Sequence, residues 1–169
     1  MFNEANSLAQ LGWRAFYSQQ LALDDFDAGF PARVAAVQRS LLVVLAECGE
    51  LEVTLPQRLR PDGLTPSITV GDWVLVRNET SQVMRLLGRQ TLIVRMAAGA
   101  EPGPQSIAAN VDTLFVVTSC NADFNLSRLE RYLAVAHQAR VLPVIVLTKV
   151  DICADPQPYI TASEGACKD

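Results

Sequence analysis

Lysine is nearly absent from this chain. Only Lys149 and Lys168 occur, against twelve arginines. None of the nine glycines is followed by lysine, so no G-x-x-x-x-G-K-[ST] phosphate loop can be written on it. No aspartate stands three residues before a glycine either, so a D-x-x-G motif is missing too. Histidine occurs once, as His137, and the four cysteines (Cys48, Cys120, Cys153, Cys167) form no C-x-x-C pair. That spacing excludes a zinc site built from neighbouring thiolates and predicts scattered reduced thiols, with no metal ligands. No apolar run is long enough to span a bilayer, and the start "MFNEANSLAQLGW" has neither a basic n-region nor an apolar h-region. A soluble cytoplasmic protein without membrane contact is expected.

What is present is a globular composition, 50% hydrophobic and 19% charged, with a net charge of −4. The charge is uneven. Residues 31–95 carry eight arginines against six acids, a local excess of +2 inside an acidic chain. Charge per domain matters more than charge per chain for a polyanionic partner.

From Ala32 onward the runs "ARVAAV", "SLLVVLA", "ELEVTL", "DWVLVR" and "TLIVR" are short and rich in Val, Leu and Ile. In "ELEVTL", Leu51, Val53 and Leu55 alternate with Glu50, Glu52 and Thr54, the period of a half-buried antiparallel strand. Five such runs predict a small barrel over 31–96, either a five-stranded OB-fold or an SH3-like barrel. A helix-like stretch, "LAQLGWRAFYSQQLAL", and the acidic turn "DDFDAGFP" precede it, making 1–30 a helical or extended segment. Asp24, Asp25 and Asp27 in that turn are read as solvated, His137 as a surface or interhelical residue and Trp73 as barrel core. The stretch 97–106, small and rich in Gly and Pro, is expected to be a linker.

Beyond it, "DTLFVVTS" has the near-continuous apolar character of a parallel strand covered on both faces. Ser127 and Glu130 fit a capping box at the start of a helix along "LSRLERYLAVAHQAR". Pro143 then opens a second aliphatic strand, "PVIVL". Strand, helix and strand make a βαβ unit, so 107–169 is expected to be part of an α/β domain. Ligands of such sheets sit beyond the carboxyl ends of the strands, where Thr148, Lys149, Val150 and Asp151 lie. A carboxylate at Asp151 can accept from both N1–H and the exocyclic amine of guanine, a donor pair adenine lacks. Lys149 can lay its apolar stem along a base, and Thr148 can offer a hydroxyl to the loop or the base edge. The same four residues also suit the polar end of a buried strand, with Lys149 on the surface.

"TKVD" after an aliphatic strand resembles the N/T-K-x-D guanine-specificity motif of GTPases. With "IAANVD", "FN-x-x-R-x-x-R-Y-L", "LGW", "ARVAAV", "GDWVLV" and "RLLGRQTLIVR", the chain resembles the RsgA (YjeQ) family of small ribosomal subunit biogenesis GTPases from Leu11 to Ile152. The resemblance implies a two-domain α+β and α/β architecture. An N-terminal OB-fold leads into the first part of a circularly permuted P-loop GTPase domain, whose base motif precedes its phosphate loop. It implies GTP or GDP with Mg²⁺ as ligands, GTP hydrolysis by the full-length protein, and a late role in maturing the small (30S) subunit. A structural Zn²⁺ belongs to a later segment of that family, and Cys153 and Cys167 do not match its pattern. This chain is expected to be the N-terminal half of such a protein, monomeric, cytoplasmic and inactive alone, with no catalytic residue visible. OB-folds bind RNA through basic and aromatic grooves, so Arg33, Arg39, Arg58, Arg60, Arg77, Arg85, Arg89 and Arg95 are candidate rRNA phosphate contacts. The alternative expectation is a non-enzymatic RNA- or ribosome-binding module.

Overall fold

The computed structural model describes residues 7–38, 41–56, 68–96 and 103–167. Its first part is an antiparallel five-stranded sheet of β1 (Gly29–Val37), β2 (Leu41–Ala46), β3 (Gly49–Thr54), β4 (Trp73–Arg77) and β5 (Val83–Leu86), in the order β3-β2-β1-β4-β5. A parallel bridge between Thr54 and Gln82 brings the end of β3 against the start of β5, which makes the sheet OB-like. Register shifts between Val34 and Ala36 and between Leu75 and Val76 curl it. The alternation read in "ELEVTL" is realised, with Val53 buried and Glu50 and Glu52 exposed. Val34, Leu42, Val44, Val53, Val74, Val76 and Val83 fill the interior. Each such side chain contributes about 1.5–3 kcal/mol by leaving water.

The fifth strand differs from the sequence expectation. "TLIVR" lies outside the five-stranded sheet, and the place is taken by the short "VMRL", whose mixed side chains carry no clear alternation. "TLIVR" contributes to β6 (Leu92–Met96), which pairs antiparallel with β7 (Pro104–Ala109). Of the segment expected to be a linker, residues from Pro104 on are therefore strand. Cross-strand pairing with β6 supplies what their local propensity does not.

The N-terminal stretch also differs. In place of one long helix there is a single turn, α1 (Ala15–Ser18), and then α2 (Leu23–Ala28), inside the stretch expected to be a turn. Gly12, at φ +89°, breaks the first run. The apolar residues Leu8, Leu11, Trp13, Tyr17 and Leu21 instead cover Trp73 and Leu87. Trp73 is thus buried, as expected, but against this outer layer. Trp13 meets it edge-on at 4.7 Å between centroids.

The second part holds β8 (Thr113–Ser119), α3 (Leu126–Gln138), β9 (Leu142–Thr148) and α4 (Gln157–Ala166). The strands are parallel, with Thr113 opposite Leu142 and Ser119 opposite Thr148. Asn125, not Ser127, caps α3: its Oδ1 accepts from the Arg128 N–H at 2.8 Å. Leu129 and Leu133 of α3 pack on Val116, Leu114 and Ile145. Helix α4 packs beside α3, with Phe124 edge-on to Tyr159 at 5.2 Å. The expectation that both faces of β8 are covered is not met among the described residues. Phe115 and Val117, on the face away from α3, are each 63% exposed.

A small joint connects the two parts. Asn110, buried at φ 56°, accepts from the Gln90 N–H through Oδ1 at 2.8 Å and donates through Nδ2 to the Gly71 carbonyl at 3.0 Å. Gly71 itself has φ +87°, and a β-carbon there would collide with the Ala109 carbonyl. The "IAANVD" run therefore owes part of its identity to this crossing.

Candidate functional site

Because β8 and β9 are parallel and in register, their carboxyl ends share one edge of the sheet. Two hydrogen bonds fasten that edge: the Cys120 N–H donates to the Thr148 carbonyl at 3.0 Å, and the Thr148 hydroxyl donates to the Thr118 carbonyl at 3.1 Å. Thr148 thus contacts the neighbouring strand, and its oxygen keeps lone pairs for a further partner. The chain then reverses at Lys149, which sits in the left-handed region at φ 60° and ψ 27°. That conformation is uncommon for a residue with a β-carbon and occurs preferentially at functional sites. Val150–Ile152 form one 3-10 turn after it.

The turn leaves Lys149, Val150, Asp151 and Ile152 exposed together at the edge. Among the described residues, neither Lys149 nor Asp151 has an ion-pair partner. A carboxylate with its lone pairs in solvent, flanked by an ammonium on an apolar stem, can accept from two adjacent N–H donors of a planar ligand. Opposite lies the loop after β8, "NADFN". Asn121 Oδ1 accepts from the Ser119 hydroxyl at 2.8 Å and from the Asp123 N–H at 2.9 Å, fixing the loop. The Arg128 guanidinium donates to the Asp123 carbonyl at 2.6 Å. The Ser-x-Asn spacing was the available signal, since short polar side chains bond their own backbone two residues on. Buried Cys120 lies beneath; its thiol is pushed up by burial and then by nearby Cys153.

The candidate arginines divide by environment. Arg39, Arg58 and Arg60 lie outside the described residues. Arg33 donates to the carbonyls of Leu11 at 2.6 Å and Asn110 at 3.0 Å. Arg85 donates to the Gln20 carbonyl at 2.7 Å and to Asp25 at 2.6 Å. Arg89 grips Asp72 with two bonds of 2.6 and 2.7 Å, the aspartate side chain being wholly buried. These three hold the N-terminal segment, the joint and a buried carboxylate. Arg77 and Arg95 are exposed on strand ends, Arg95 bonded to the Gln105 side chain at 3.1 and 3.2 Å. Of the acidic cluster, Asp25 is a structural anchor. Its carboxyl is held below the ordinary range first by the Ala22 N–H and then by Arg85. His137 is exposed in the last turn of α3. No group of three metal-ligating side chains forms among the described residues.

The RsgA GTPase family matches residues 86–167. The small ribosomal subunit biogenesis GTPase RsgA 2 of Vibrio parahaemolyticus is 50% identical over 155 residues, covering 92% of this chain and 41% of that protein. The RsgA protein of Mesorhizobium japonicum is 48% identical over 153 residues, covering 90% and 42%. Among solved structures, YjeQ from Thermotoga maritima superposes with a TM-score of 0.58 at 21% identity, over 80% of this chain and 46% of that one. YloQ, described as a circularly permuted GTPase, gives 0.55 at 23% identity, over 82% and 47%. At those identities the likeness speaks for the fold. The chain belongs to the RsgA GTPase family and spans about two fifths of the length of these full-length relatives.

Proposed function

We propose that this chain supplies the guanine-reading portion and the rRNA-facing barrel of a cytoplasmic GTPase that assists late maturation of the small (30S) ribosomal subunit. One observation carries the reading: the left-handed turn at Lys149 that presents an unpaired Asp151 at the carboxyl edge of two parallel strands. Asp151 accepts from N1–H and the amine of guanine, Lys149 lies along the base, and Thr148 and Val150 hold the turn. The names of the relatives support the subunit as partner. Exposed Arg77 and Arg95, with Arg39, Arg58 and Arg60, are the arginines proposed to meet rRNA phosphates. The whole protein is proposed to hydrolyse GTP with Mg²⁺.

Nucleotide affinity in such enzymes comes chiefly from a phosphate loop and its cation. This sequence contains no G-x-x-x-x-G-K-[ST]. These residues therefore read a base, bind nucleotide weakly and do not hydrolyse it alone. The bare apolar face of Phe115 and Val117 fits the same view, because parallel sheets are normally covered on both sides. We assign its cover to the rest of the GTPase domain.

Two measurements test the proposal. A fluorescent GDP analogue bound to the chain should be displaced by GDP and not by ADP; equal displacement by ADP would overturn the base assignment. The chain should also sediment with small subunits at low salt and dissociate as salt rises. Sedimentation without guanine preference would favour the plain RNA-binding module, and no sedimentation at low salt would remove the partner.

A further inference from the structure

A second recessed site lies away from the base edge, between the β6–β7 hairpin and the outer face of α3. It encloses about 600 Å³, within the range of ligand-binding clefts. Its walls include Arg95, Met96 and Pro104 from the hairpin and Arg131, Tyr132 and Gln138 from the helix. Among the described residues that line it none is acidic, although the chain as a whole carries −4. Neither arginine has an ion-pair partner among the described residues. Arg95 keeps donors beyond those given to Gln105, because a guanidinium has five. Tyr132 is 47% exposed and Met96 69% exposed, so the cleft offers an aromatic ring beside a soft apolar surface.

We infer that this cleft binds single-stranded RNA, stacking one base on Tyr132 and holding adjacent phosphates on Arg95 and Arg131. The inference rests on the rRNA-facing reading above and gives it a location outside the barrel groove. Two unpaired cations flanking a half-exposed aromatic suit a polyanion with flat apolar groups, and unpaired nucleotides are such a ligand. A duplex fits poorly, since its bases are stacked inside and present no face to a tyrosine. Gln138 adds one amide donor and one acceptor for a base edge or a ribose hydroxyl. Both walls are regular structure, a 13-residue helix and a paired hairpin, so the groups are held in place before binding.

The test is an amide chemical-shift titration of the ¹⁵N-labelled 169-residue chain. The probe is a single-stranded RNA of about eight nucleotides, within the span of small single-strand sites. The largest changes are expected at Val94–Met96 and Arg131–Gln138. Tyr132→Leu should weaken binding about tenfold and Tyr132→Phe by less than about twofold, if stacking is the source. Arg95→Ala and Arg131→Ala should each lower the slope of log K against log salt by about 0.7, the value for one phosphate contact on a single strand. These side chains are exposed, so circular dichroism should show unchanged folding. Shifts confined to β1–β5 would overturn the cleft while leaving the RNA-facing barrel standing. No shift anywhere would overturn both. Equal shifts with a polyglutamate peptide of matched charge would show a site for acidic chains instead of RNA.

Discussion

Replacing Arg89 by alanine separates a structural arginine from an RNA-binding one. Asp72 is wholly buried, and its carboxylate accepts two bonds from Arg89 and one from the Thr69 N–H at 2.8 Å. Arg89→Ala removes the only cation paired with it among the described residues, leaving one backbone donor. Breaking a buried pair from one side costs about 3–5 kcal/mol, because the remaining charge stays desolvated. In a chain of this length 1 kcal/mol moves the melting midpoint by about 2–4 °C, so the loss should be about 6–20 °C. Thermal and urea unfolding followed by circular dichroism would measure it. Adding Asp72→Asn to Arg89→Ala should recover part of the loss, since a neutral amide is cheaper to bury than an unpaired carboxylate. A cost below about 1 kcal/mol for Arg89→Ala, the range of exposed pairs, would refute the reasoning.

Three further outcomes are expected. Asn110→Ala should cost about 1–3 kcal/mol in urea unfolding, because it strips two hydrogen bonds from the joint and places alanine at φ 56°; an unchanged midpoint would show that the joint does not depend on that side chain. The Asp25 carboxyl is held below its ordinary pKa, so its contribution to stability is fully present above the ordinary value of about 3.9 and is lost as pH falls through the lower folded value. The gap between the unfolding midpoints of wild type and Asp25→Asn should therefore close on acidification, and a gap constant with pH would contradict the assignment. Phe115→Ser with Val117→Ser should reduce self-association of the isolated chain in size-exclusion chromatography and weaken binding of a hydrophobic dye, since both side chains are 63% exposed. Unchanged elution and dye binding would mean the face is not adhesive.

What was legible in the sequence was what local pattern controls. Leu51, Val53 and Leu55 announce a strand by their spacing alone, and the aliphatic runs around Val116 and Ile145 announce the parallel pair. The position of Thr148–Asp151 at the end of the second strand follows from the same pattern. The left-handed turn at Lys149 does not, because nothing in lysine favours φ near +60° and the geometry comes from the chain reversing at the sheet edge. Helix α4 was hidden behind Pro156 and Pro158, which a helix tolerates at its first turn. Strand β7 was hidden by small residues whose order comes from pairing with β6. The arginines were least legible. Arg33 reaches a carbonyl 77 residues away and Arg85 a carboxylate 60 residues away, and only the fold shows which guanidinium meets another part of the chain and which meets solvent. The Asn125 cap shows the smaller error typical of helix ends, since asparagine and serine both satisfy a free N–H there.

The most direct test is the base preference of Asp151→Asn. Amide shifts of Thr148–Cys153 would be followed while GDP, XDP and ADP are titrated into wild type and variant. Xanthine carries a carbonyl where guanine carries its amine, so an asparagine amide can accept from N1–H and donate to that carbonyl. The account predicts that wild type prefers GDP and that the variant prefers XDP, a reversal of about tenfold or more. An unchanged order of preference, or shifts that avoid the Lys149 turn, would contradict it.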